Sequence, residues 1–260
     1  MNHTKKYTII SVAIWLTIWF VAALIINNQI FLPSPINVIK ALAKMATTKN
    51  FYFTIFTSLK GILLGFIIGL LLGIIISSLS YRYYFCEIFF GTFIKVIKSV
   101  PVASFIILTL FWISSEKLSV LISALIVLPV IYGNFLTALK NTDKKLLEFA
   151  KVYRLSSIKK IVHIYMPSTL TSLIAACQVA IGYAWKSGVA AEIIGLIRGT
   201  IGNELYKTKL YLATDELFAW TISIILLSII CEKIIVLLLN FLKPNRFSHK
   251  KRGKVSETVN

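Results

Sequence analysis

Apolar residues along this chain gather in long blocks, not in alternation. Six blocks lie at about 7–27, 58–80, 85–114, 118–139, 169–191 and 217–239, and few charges interrupt them. A helix needs about 20 consecutive apolar residues to cross a bilayer, so every block is long enough. Two connecting stretches are amphipathic. After the first block, QIFLPSPINVIKALAKM places Pro33 and Pro35 at a turn, then apolar residues at helical spacing from Ile36 to Met45. This predicts a helix lying flat on the outer surface. Between the fourth and fifth blocks, 140–168 is basic and amphipathic. The pattern predicts an all-α polytopic membrane protein: six transmembrane helices, a single transmembrane domain over 1–260, and a polar, disordered tail at 243–260.

Composition agrees with this picture. Of 260 residues, 57% are hydrophobic and 15% charged, with mean hydropathy +0.82; a soluble domain is nearer one quarter charged. A net charge of +18 would suit nucleic acid if it formed a patch. Here the basic residues sit in loops and the tail, where the positive-inside rule accounts for them, and no nucleic-acid partner is expected. With the N-terminus inside, the inner segments hold 16 Lys and Arg and the outer segments 7. That bias puts both termini and 140–168 in the cytoplasm of a multi-pass cell-membrane protein. Lys5 and Lys6 precede an uncharged run from Tyr7 to Ile26 with no small-residue cleavage site after it, which reads as a retained first span. Cys86, Cys177 and Cys231 show neither disulfide nor metal spacing and read as packing residues.

Two blocks depart from plain apolar helix. The third would be roughly 43 Å long as one helix, against a hydrocarbon core of about 30 Å. It contains Lys95, Lys98 and Pro101, so it is expected to kink near mid-membrane and to line a protein or water-filled surface. The second carries Gly61, Gly65, Gly69 and Gly73, a stripe along one helix face that lets another helix approach closely.

Within LEFAKVYRLSSIKKIVHIYMP, a helix over 147–155 brings Phe149, Val152 and Tyr153 together at i, i+3 and i+4, with Lys151 and Arg154 opposite. Ser156 and Ser157 are suited to cap a second helix, on which Ile158, Ile161, Val162 and Tyr165 form an apolar stripe. Pro167 starts the fifth span. One reading is a basic hairpin resting on anionic lipid; the other is an apolar knob that fills a groove on a cytoplasmic protein.

The spacing Glu148-Phe149-Ala150 to Ile164-Tyr165-Met166-Pro167 resembles the "EAA" coupling signature of binding-protein-dependent ABC-importer permeases. LPSP at 32–35, the glycine stripe at 57–74, the Lys98-Ser99-Val100-Pro101 break, AWKSGVAAEIIG at 184–195 and TDELFAWTISIILL at 214–227 resemble the nitrate/sulfonate/taurine branch. The resemblance implies a type I ABC-importer-like permease. Its ATPase-coupling residues would be Glu148, Phe149, Ala150, Lys151, Val152, Tyr153, Arg154, Leu155 and Ser156. It also implies a second permease copy as a homodimer, two ATP-binding subunits holding ATP and Mg, an extracytoplasmic binding protein, and a small organic anion or vitamin-like solute. Phe149 stands where the family has a small residue and Arg154 where it has glycine, so the turn is expected to shift to Ser156-Ser157. Trp112-Ile113-Ser114-Ser115 replaces the branch's Trp-Phe-Gly turn.

The residues assigned to the solute pathway are Lys98, Pro101, Trp185, Lys186 and Glu192. Charge inside a membrane is costly and marks function or pairing, and a Lys–Glu192 ion pair is the competing expectation. The chain has no P-loop and no histidine within a span to activate a serine, so it is expected to hold no cofactor and to catalyse nothing itself. An ion-gradient-driven transporter is the alternative function. It would ordinarily show more buried carboxylates and paired broken helices.

Overall fold

A computed structural model of the chain describes residues 2–241, with side chains from Lys6 onward. The expectation for the tail at 243–260 lies outside the described residues. All regular structure described is helical. In chain order the helices are α1 (Asn2–Ile26), α2 (Pro35–Ala46), α3 (Lys49–Arg82), α4 (Tyr84–Ser99), α5 (Val102–Thr109), α6 (Ser115–Lys140), α7 (Lys144–Val152), α8 (Ser157–Lys160), then a π-helical turn (Ile161–Tyr165), α9 (Met166–Ile194), α10 (Ile201–Leu210) and α11 (Thr214–Phe241). Five of these stretches are long and apolar enough to cross a membrane, or six if the bent pair α4–α5 counts as one crossing.

Side-chain pairing along the bundle settles that count. Gly61 of α3 sits by Ser119 of α6 and Gly73 by Ile131, so α3 and α6 run parallel. Lys140, at the end of α6, pairs with Glu87 at the start of α4. The chain between α3 and α6 therefore returns from one end of the bundle to the other, and α4–α5 is a broken crossing. Tyr165 beside Tyr81 and Glu192 beside Ser58 run α9 antiparallel to α3. One end of the bundle thus carries α7 and the other α10.

The third crossing is not the kinked single helix expected from sequence. It bends by 100° between α4 and α5. Proline's ring crowds the preceding residue out of the helical region. Val100 accordingly takes φ −84° and ψ 130°, which ends α4, and Pro101 heads α5.

The glycine stripe does pack the core. A Cβ on Gly69 would stand 2.7 Å from the Ala124 carbonyl oxygen and 2.8 Å from the Val127 Cβ, and one on Gly73 2.8 Å from the Ile131 Cβ. Gly69→Val should therefore cost about 3 kcal/mol or more through overpacking, read as a lower thermal unfolding midpoint. Gly182→Ala, where nothing lies within 4 Å, should be neutral or stabilising by that readout. Around the α3–α6 seam, Ile62, Phe66, Val127, Ile181 and Trp185 form the main core. The amphipathic helix expected after the first block is α2. Ser34 caps it, and Val38 and Ala41 pack on Ala219 of α11.

Candidate functional site

The helix expected over 147–155 is α7, and it starts three residues earlier because the Asp143 side chain accepts from the Lys145 amide at 2.9 Å. Phe149, Val152 and Tyr153 project from it with 53%, 77% and 66% of their surface exposed, and the two rings lie 4.3 Å apart between centroids. Glu148, Lys151 and Arg154 are exposed around them, while Ala150 is fully buried. Three apolar side chains on one short helix thus stand clear of the bundle.

The end of α7 corrects the expected turn. The Arg154 amide donates to the Lys151 carbonyl, and the Leu155 amide donates to the Ala150 carbonyl at 2.9 Å. This is the paired closure that places the residue after the cap in the left-handed region, and Arg154 has φ +48°. The left-handed turn therefore stays at the position where the resembling family has glycine; it does not move to Ser156-Ser157. Two closing hydrogen bonds and the buried Ala150 outweigh the roughly 1 kcal/mol cost of that φ for a residue with a Cβ. Arg154→Gly should raise stability by about that amount, measured by thermal or denaturant unfolding, while leaving the knob where it is.

Ser156 then caps α8 by accepting from the Lys159 amide. The following π turn has a local cause. Pro167 has no N–H for the His163 carbonyl, and the Met166 amide reaches back five residues to the Ile161 carbonyl. Helix continues through Pro167, so Ser157–Ile194 forms one nearly unbroken run. Tyr81 of α3 braces it: its hydroxyl is 3.4 Å from that of Tyr165. The knob on α7 is joined through the four residues 153–156 and α8 to a rod that spans the bundle.

The five residues assigned to the pathway do not converge. Trp185 is buried in the main core. Lys186 is exposed on α9, 6.0 Å from the centre of the Tyr183 ring. Lys98 and Pro101 are exposed at the break in the third crossing. Glu192 is fully buried and meets no lysine. Ser58 Oγ donates to its Oε2 at 2.8 Å, the Gly202 amide donates to the same oxygen at 3.0 Å, and Ser119 Oγ donates to Oε1 at 3.4 Å. Ser58 also accepts from the Ile201 amide at 2.8 Å. Ile201 and Gly202 open α10, so Glu192 answers the unpaired amides and positive end of a helix. That is why it needs no lysine.

Sequence reasoning passed over one face. Ser168, Thr171, Ser172, Ala175, Val179, Tyr183 and Lys186 lie at helical spacing on α9 and are all exposed. This stripe, polar or small for much of its length, runs along the outside of an otherwise apolar bundle. Its signal is present in TSLIAACQVAIGYAWK as small and polar residues recurring every three or four positions. No group of three or more His, Cys, Asp or Glu that could hold a metal occurs among the described residues.

A bundle of apolar crossings with an exposed apolar knob at one end defines a multi-pass membrane protein. Residues 61–247 match the family described as binding-protein-dependent transport system inner membrane component, and the chain belongs to that family. It is 31% identical over 125 residues to the putative aliphatic sulfonates transport permease of Escherichia coli strain K12, covering 48% of this chain and 47% of that relative. It is 23% identical to the corresponding Bacillus subtilis strain 168 permease, covering 80% of this chain and 75% of that relative. A crystal structure of an amino acid ABC transporter shares the fold at TM-score 0.56 and 17% identity, covering 78% of this chain and 96% of that one. The family and relatives bear out the resemblance to ABC-importer permeases of the sulfonate/taurine branch. Such permeases are transport components without catalytic activity of their own.

Proposed function

We propose that this chain forms half of the solute pathway of an ATP-driven importer, with α7 as the element that docks a cytoplasmic ATPase. The observation carrying this is the exposed Phe149–Val152–Tyr153 knob and its short, rigid connection to α9. A knob of this kind suits the groove-filling mode of helix recognition, and its attachment lets a push at α7 tilt a spanning helix. Glu148 to Ser156 form the coupling surface. ATP and Mg belong to the partner ATPase, one bound by each of two copies.

In this reading two copies of the chain pair, and the α9 stripe from Ser168 to Lys186 faces the pathway between them. Polar groups at membrane depth are tolerated where they meet protein or water. The α7 end and both termini face the cytoplasm, and an external binding protein delivers solute at the α10 end. The solute is a small organic anion of the sulfonate kind, supported by the names of the relatives, or a vitamin-like compound. Lys98, Pro101, Trp185 and Lys186 are assigned to the pathway or its immediate support, and Glu192 to holding its outer end together.

Co-expression with candidate ATPases tests the proposal. A stable complex should form and support ATP-dependent uptake of a sulfonate in proteoliposomes supplied with the binding protein. Uptake that continues without the ATPase and follows an imposed ion gradient would instead establish a secondary transporter.

A further inference from the structure

We infer that the cleft between α4 and α6 is a binding site for a small tetrahedral oxyanion, held by Lys95, Lys98 and the hydroxyl of Tyr132. The cleft has a volume of about 460 Å³. Gly91 and Gly133, which face it from the two helices, leave the space open. Lys95 and Lys98 are one turn apart on α4, and the Lys98 ammonium lies 3.7 Å from where a Gly133 Cβ would stand. The carboxylate lining the cleft, Glu87, is already taken by Lys140 at 2.5 Å. Neither Lys95 nor Lys98 makes an ion pair among the described residues. Two positive charges therefore face this space unmatched.

The third group is Tyr132. It is 5% exposed, its hydroxyl is buried with no hydrogen-bond partner, and it points toward Gly91, 3.8 Å from where a Cβ would be. A buried hydroxyl left unbonded is costly, and unmatched ammonium groups along a spanning helix are costlier still. A sulfonate or phosphate group answers both at once: it accepts from the hydroxyl and neutralises the lysines through charge-assisted hydrogen bonds. Lys95 and Lys98 lie about 12 and 17 Å along α4 from Glu87 at 1.5 Å per residue, so the cleft runs along α4 away from the Glu87–Lys140 pair at the α7 end. A free solute and the phosphate of a lipid headgroup carry the same chemistry there.

The test uses the full chain in phosphatidylcholine nanodiscs, titrated by calorimetry with methanesulfonate and, separately, with inorganic phosphate. Saturable binding is expected. The Lys95→Gln/Lys98→Gln pair should weaken it about tenfold or more and Tyr132→Phe several-fold, while Lys117→Gln should not change it. Both lysines are exposed and Tyr132→Phe keeps the ring, so unaltered thermal unfolding will confirm folded variants. In parallel, native mass spectrometry of nanodiscs containing phosphatidylglycerol reads the lipid source. Lysine-dependent retention of that lipid, with loss of methanesulfonate binding, assigns the site to a headgroup. Anion binding that survives the double variant unchanged overturns the inference. So does the absence of anion binding together with lipid retention indifferent to the lysines. No ATPase is present, so the outcome is independent of the role of α7.

Discussion

Under the proposed docking at α7, alanine at Phe149, Val152 and Tyr153 together will release the ATPase from the permease and abolish ATP-driven import. These side chains are mostly exposed in the isolated chain, and Phe149 and Tyr153 already stack on one another. The knob is thus preorganised for the proposed docking and would lose little conformational freedom in it. Aromatic anchors at the centre of an interface cost about 2 kcal/mol or more each when truncated. A joint loss of at least about a hundredfold in affinity follows, even if the effects are not additive. Fold stability should stay within about 0.5 kcal/mol, because exposed side chains contribute little to it. Co-purification yield, ATP-dependent uptake and thermal unfolding of the same variant separate these effects. Normal ATPase attachment and uptake in the triple variant would remove α7 from the mechanism.

Glu192→Ala will detach α10 from the bundle. The carboxyl group gathers Ser58 of α3, Ser119 of α6 and the Gly202 amide of α10 onto α9, and Ser58 in turn holds the Ile201 amide. Its removal leaves two buried hydroxyls and one amide without their acceptor, along with a cavity. The expected cost is about 3 kcal/mol or more. Glu192→Gln keeps the volume and one accepting oxygen, and should lose about half as much. Hydrogen exchange at the start of α10, Ile201 to Asn203, should rise in Glu192→Ala before global unfolding does. If Glu192 served only the solute, uptake would fall while exchange in α10 stayed as in the native chain.

What the sequence reveals here is mostly local. The six apolar blocks and the Ser156 cap act within a few residues of themselves, whereas the glycine stripe marks a seam whose partner, α6, is set by packing. Pro101 marks the place of the third crossing's irregularity, but the sequence predicts a kink in one helix there, and the 100° break follows from the pre-proline geometry of Val100. The knob follows from i, i+3, i+4 spacing alone. Arg154 misled because residue type suggested that a left-handed turn must move, whereas backbone closure and the burial of Ala150 hold it in place. Glu192 misled for a different reason. Its partners lie 134 residues away at Ser58 and 10 residues away at Gly202, and a helix end offers positive polarity without any basic side chain. The unmatched cleft at Lys95 and Lys98 needed the packing of α4 against α6, which periodicity does not carry.

The rupture at Val100–Pro101 has an electrical consequence. The last carbonyls of α4 and the first amides of α5 have no neighbours in a continuous ladder, and Pro101 lies open on the surface of a lone chain. Hydrocarbon does not accommodate such a gap in a spanning backbone. Moisture or a companion chain must therefore reach it. Where moisture does, the insulating layer is thinned from within at that notch.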